Sequence, residues 1–109
     1  MKQTLVRYKT KQDKAQENAG LIEAVFRELR ATSPEGVRYL VLRLYDGTFV
    51  HFHSVAEGAK SVSALEAFQS FQSGIADRLV EPVQANDAII IGNYRMLDEG
   101  YAELVGRSS

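Results

Sequence analysis

The chain has 109 residues, enough for one hydrophobic core and therefore one domain. At 45% hydrophobic and 25% charged it has the make-up of an ordinary globule, and a net charge of −1 with the signs interspersed gives no basic footprint for nucleic acid. The absence of cysteine excludes disulfides, thiolate nucleophiles and thiolate metal sites.

Met1-Lys2-Gln3 opens no secretory pattern and no apolar run nears membrane-spanning length, so a cytoplasmic location without a membrane partner is expected. Thr4 to Thr10 reads as a first strand, with Val6 and Tyr8 on one face and Leu5, Arg7 and Lys9 on the other. Asp13 is placed to cap a helix whose inner stripe is Ala15, Ala19, Ile22, Val25, Phe26 and Leu29. Pro34 and Gly36 end the loop after it.

Gly36 to Val55, GVRYLVLRLYDGTFVHFHSV, reads as a hairpin on Asp46-Gly47. A two-residue turn sets Leu44 opposite Phe49, Leu42 opposite His51 and Leu40 opposite His53, so these six share a face. Tyr39, Val41, Arg43, Tyr45, Val50, Phe52 and Ser54 take the other. Ser63 and Glu66 have the spacing of a capping box. The helix after it carries Leu65, Phe68, Phe71 or Gln72, Ile75 and Leu79 inward, until Glu81-Pro82 stops it. Asp87 to Met96, with its Ala88-Ile89-Ile90-Ile91 run, reads as the fourth strand. In the tail, Tyr101, Leu104 and Val105 have the spacing to dock as one helical turn.

Strand, helix, strand, strand, helix, strand is the ferredoxin-like α+β order, βαββαβ, and right-handed crossovers give an antiparallel sheet in the order 4-1-3-2. The domain spans 1–97, with 98–109 a partly docked tail. Two helices cover one sheet face. The other is too apolar for water, and a second copy of the chain is the simplest cover, making a homodimer through the open sheet face.

Over Thr4 to Met96 this order resembles the dimeric α/β-barrel superfamily, in which two ferredoxin-like subunits pack sheet to sheet around an interior cavity. GVRYLVLRLYDGTFVHF, with Ala67-Phe68-Gln69-Ser70-Phe71-Gln72 after it, also resembles a set of small bacterial proteins with no assigned activity. Distant relatives are the antibiotic biosynthesis monooxygenases, which oxidise polycyclic aromatic substrates without metal or flavin, along with haem-degrading enzymes and stress-responsive barrels. The resemblance implies a cavity for an apolar or aromatic ligand and no cofactor. The chain departs from the monooxygenase pattern His-x-x-Ser-x-His. Registered on Ser70, the histidine positions are Ala67 and Gln72, and there is no tryptophan for a Trp-Asn-His set.

His51 and His53 are the candidate catalytic residues, about 7 Å apart by strand rise on one face. They read as a base or hydrogen-bonding pair against a ligand, as structural wall residues, or, less well for want of nearby carboxylates, as metal ligands. An imidazole under the helices needs a partner that the apolar helix stripes lack. Both are therefore expected to face the barrel, with Val41, Val50 and Phe52 beneath the helices and Tyr39 and Arg43 reaching the helix-side rim. Arg7, Phe49 and Asn93 are candidate ligand contacts. Arg7 is placed to bind a carboxylate or enolate, or to form a salt bridge at the sheet; Asn93 donates to an oxyanion or completes a turn. Three functions follow in order: a barrel binding an apolar or aromatic metabolite; a cofactor-independent monooxygenase or isomerase on a phenolic or polyketide-like substrate; an assembly module.

Overall fold

The alternation read along the first strand is the one that folds: Tyr8 and Thr10 are buried while Arg7 and Lys9 face outward. The computed structural model describes residues 2–97, with β1 (Lys2–Thr10), α1 (Ala15–Thr32), β2 (Val37–Arg43), β3 (Thr48–Val55), α2 (Glu66–Gln72), α3 (Ile75–Arg78) and β4 (Leu79–Asp87). The strands pair antiparallel in the order β2-β3-β1-β4, the ferredoxin-like α+β sheet, with β3 and β1 central. Tyr8, Ala15, Ile22, Val25, Phe49 and Phe71 form the core between one sheet face and the helices. Fully burying a side chain such as Phe49 or Val25 contributes about 1.5–3 kcal/mol.

The hairpin differs from its reading by one residue. Tyr39 pairs with His53, Val41 with His51 and Arg43 with Phe49. Leu44 N–H donates to Thr48 O at 2.8 Å and Gly47 N–H to Leu44 O at 3.2 Å, which makes a three-residue loop of Tyr45, Asp46 and Gly47. Only Gly47 is left-handed, at φ 90°. Asp46 keeps a negative φ while its Oδ1 accepts the Thr48 N–H at 2.9 Å. This is a turn closed by a single left-handed residue, and it adds one residue to the loop. A one-residue slip turns every side chain of β2 over relative to β3.

Tyr39, Val41 and Arg43 therefore share a face with His53, His51 and Phe49, and that is the helix face. The expectation that both histidines face away from the helices is overturned, as is the placing of Val50 and Phe52 beneath them. Val41 does pack there, and Arg43 does reach the rim, its Nη1 donating to Gln16 Oε1 at 3.3 Å. The partners that the apolar helix stripes lack come from the sheet itself.

β4 also moves. It occupies Leu79–Asp87 rather than Asp87–Met96, with Pro82 at the shift in register between the Arg7 and Lys9 pairs. Proline is tolerated there because β4 is an edge strand. The second helix accordingly ends at Gln72, where Gly74, left-handed at φ 80°, turns the chain into the short α3. The 88–97 segment leaves the sheet after Ala88 N–H donates to Gln3 O at 2.9 Å.

Neither expected cap forms. Asp13 lies in a 3-10 turn before α1, and Ser63 lies in another before α2, where Ser61 Oγ accepts the Ser63 N–H. The free Ala67 N–H at the start of α2 is taken instead by Glu28 Oε1 of α1 at 2.8 Å. That bond ties the two helices together and fixes the wall that α2 presents to the sheet. The expected helical turn at Tyr101, Leu104 and Val105 lies outside the described residues.

Candidate functional site

Large side chains fill one end of the layer between sheet and helices, and small ones leave the other end open. Tyr8 stacks on Phe49 at 5.6 Å between ring centroids and tilts against Phe71 at 6.3 Å. Beyond them Thr4, Val6 and Ala85 on the sheet, with Ser61 and Ser63 before α2, are too small to close the gap. The result is a cavity of about 1020 Å³ between the sheet and α2. Its apolar walls are Val6, Val83 and Ala85 from the sheet and Phe68, Phe71 and Ile75 from the helices, and its polar strip is Tyr8, Tyr39, His51 and His53. A space of this size, mostly apolar with a few converging polar groups, suits a small molecule.

Three of the four residues of the polar strip are joined by hydrogen bonds. Tyr8 Oη lies 2.8 Å from His51 Nε2, and Tyr39 Oη lies 2.7 Å from His51 Nδ1. Asn18 Nδ2 of α1 donates to Tyr8 Oη at 2.9 Å, and Arg78 Nε of α3 donates to Asn18 Oδ1 at 2.9 Å. Arg78 also donates from Nη2 to Phe71 O at 2.6 Å and lies over the Phe71 ring. Asn18, His51 and Arg78 are buried, and both amide atoms of Asn18 and both ring nitrogens of His51 have partners.

Burial decides the charge states. His51 is pushed down from 6.5 to about 4, by desolvation first and by neighbouring His53 second, so it is neutral at physiological pH. Tyr8 is pushed up to about 12, with burial outweighing the lowering by Asn18 and Arg78, and burial raises Tyr39 as well. His53 is also lowered, by burial and then by the Lys2 ammonium. Its Nδ1 is buried without a hydrogen-bond partner, and the ring stands edge-on to Tyr39, 6.1 Å between centroids.

Of the five residues singled out in the sequence, His51 and His53 come together on this cavity. Arg7 does not: it pairs with Val50 and Gln84 and points to the open sheet face. Phe49 is in the core under Tyr8, 1% exposed, and contributes no surface to the cavity. Asn93 closes a turn outside the sheet, where its Oδ1 accepts the Leu97 N–H at 2.8 Å. The sequence reading passed over Asn18, Arg78 and Tyr8 as polar members of the site. Asn18 falls in the helical stripe Ala15, Asn18, Ile22, Val25, and Arg78 continues Phe71 and Ile75. A polar residue at a core position is the signal that would have found them. Among the described residues no group of three His, Asp or Glu side chains converges to hold a metal ion, and no helix is long and apolar enough to cross a membrane.

No family model matches the chain, and no curated protein matches it in sequence. Solved structures do match in shape. A candidate antibiotic biosynthesis monooxygenase from Bacteroides thetaiotaomicron superposes with a TM-score of 0.72 at 15% identity, covering 89% of this chain and 95% of its own. The fold is that of the antibiotic biosynthesis monooxygenase-like proteins. A second candidate of that description, from Nitrosomonas europaea, gives 0.65 at 18% identity over 84% of this chain and 100% of its own. A protein from Mycobacterium tuberculosis gives 0.66 at 15% identity, with 84% and 96% covered. At these identities the likeness is one of fold.

Proposed function

We propose that this chain binds a small apolar or aromatic metabolite in the cavity between the sheet and α2. One observation carries the reading: about 1020 Å³ of space walled by Val6, Phe68, Phe71, Ile75, Val83 and Ala85 ends on a strip of tyrosine and histidine. A flat hydrophobic body fits the walls, and a polar edge fits the strip. Native mass spectrometry of protein purified without added ligand tests it. A discrete small-molecule mass that leaves on mild activation supports the reading. Protein that carries none, and takes up no flat aromatic compound at millimolar concentration, contradicts it.

His53 favours a second reading, that of a cofactor-independent oxygenase on a phenolic or polyketide-like substrate. His51 has both ring nitrogens occupied by tyrosines, whereas His53 also lines the cavity and its buried Nδ1 has no hydrogen-bond partner. It is the better placed of the two to take a proton from an acidic carbon of the ligand. The carbanion would then reduce dioxygen, with CH2 and O2 giving C=O and H2O. The monooxygenase names of several structural neighbours support this. Arg7 and Asn93 are not among the residues that line the cavity.

The same reading makes the chain a homodimer through its open sheet face. Leu5, Leu40 and Leu42 are exposed there beside Val50 and Phe52, an apolar centre unsuited to water. The 88–97 arm adds Ile89 and Ile91, 86% and 99% exposed. A second copy would cover both, and isologous packing would repeat the arm contact twice.

A further inference from the structure

We infer that Tyr39 is the hydrogen-bond donor by which the cavity recognises its ligand, and that the group it receives is a carbonyl oxygen on a flat apolar framework. The inference rests on the cavity reading above and deepens it. It comes from the direction of the hydrogen-bond chain, which Arg78 fixes from the far end. Guanidinium only donates, so the contact of Arg78 Nε with Asn18 fixes the carbonyl end of that amide toward Arg78. The other end, Nδ2, can then only donate, and Tyr8 Oη accepts from it.

Tyr8 is 2% exposed, so its own proton must find a partner inside the protein, and the remaining one is His51 Nε2. Nε2 is thus the acceptor nitrogen. A neutral imidazole carries its proton on the other, Nδ1, which donates to Tyr39 Oη. Each bond hands its direction to the next, and the chain runs out at Tyr39. That oxygen has accepted, while its proton has no second partner among the described residues, on a side chain that lines the cavity. Running the chain backwards would strand the Tyr8 proton in the core.

The chain also polarises its last member. A cation at the head of aligned hydrogen bonds strengthens each donor in turn, so Tyr39 is a better donor than an isolated phenol while remaining un-ionised. Val6, Phe68, Phe71, Ile75, Val83 and Ala85 line the cavity too, and a ligand oxygen set against them loses its hydration without return.

Two measurements on the full chain test this. Long-range proton–nitrogen NMR reads the tautomer of His51 directly. A proton on Nδ1 is expected, and a proton on Nε2 overturns the direction and the proposal with it. The second is titration with 9-fluorenone and with fluorene, which share a shape and differ in one carbonyl. Wild-type protein is expected to bind fluorenone about tenfold more tightly than fluorene, and Tyr39→Phe is expected to bring that ratio close to one. Fluorene binding without a fluorenone preference, or a preference that survives Tyr39→Phe, overturns the role of Tyr39 and leaves the cavity standing. Failure of both compounds to bind removes the cavity reading and this proposal together.

Discussion

The Tyr39 hydroxyl passes by the histidine directly opposite it, His53, and meets Nδ1 of His51, two residues back along β3, at 2.7 Å. That diagonal reach closes a buried chain from Arg78 through Asn18 and Tyr8 to the cavity. The two tyrosines therefore differ in what their removal exposes. Tyr8→Phe leaves Asn18 Nδ2 and His51 Nε2 without partners in the core and is expected to cost about 1–3 kcal/mol. Tyr39→Phe keeps the ring stacked on Phe26 at 5.0 Å and strands one group, the His51 Nδ1–H, rather than two, so it is expected to cost less than Tyr8→Phe. Urea denaturation of both variants checks the order, and a larger loss for Tyr39→Phe contradicts the placing of Tyr8 as the more heavily bonded of the two.

Acid should weaken the fold through His51. Its folded pKa of about 4 lies below the ordinary value of 6.5, so between those values the unfolded chain binds more protons than the folded one. Stability is then complete above the unfolded pKa and falls as pH falls toward the folded one. The expected loss is about 2 kcal/mol between about pH 6.5 and about pH 5, with His53 shifted in the same direction. Urea midpoints across this window, compared with those of His51→Gln, measure it. A flat wild-type profile would mean that the imidazole is not desolvated.

Gly47 carries the register of the hairpin, being the only left-handed residue of its three-residue loop. Gly47→Ala places a Cβ 3.4 Å from Thr10 O and strains the backbone, at an expected cost of about 1–3 kcal/mol. Because a slipped register would move β2 away from its place opposite the histidines, the tyrosine–histidine contact should weaken with it. Thermal unfolding and the His51 ring signals check the two effects together.

Leu42→Glu on the open face should leave the fold intact and dissociate the proposed dimer, since a carboxylate facing its own symmetry mate is repelled and desolvated. Removing the 88–97 arm should weaken association in the same direction. Sedimentation velocity distinguishes the outcomes. A wild-type chain that is already monomeric at micromolar concentration contradicts the homodimer.

The hydrophobic pattern made the strand order and the helix face of β1 legible, because period and crossover handedness leave few alternatives. Register was less legible. Asp46-Gly47 fits a two-residue turn with both residues left-handed and also a three-residue loop with one, and the choice depends on the Asp46 side chain capturing the Thr48 N–H. That choice decides which face of β2 lies with the histidines. β4 was displaced in the reading because Pro82 looks like a helix stop, and its place on an edge strand is a tertiary fact. The buried polar chain was hidden for a similar reason. Asn18 and Arg78 are 60 residues apart, and each looks like a flaw in an apolar stripe until the other is beside it.

The most direct test of the cavity reading uses the two histidines, the only ones in the chain, as built-in reporters. Their ring-proton signals would be followed by NMR as 9-fluorenone is added, alongside the methyl signals of Leu40 and Leu42 on the opposite sheet face. The expected result is saturable movement of both imidazole signals with the two leucines unmoved. Movement confined to Leu40 and Leu42, with the histidines silent, would put the ligand on the open face and contradict the cavity.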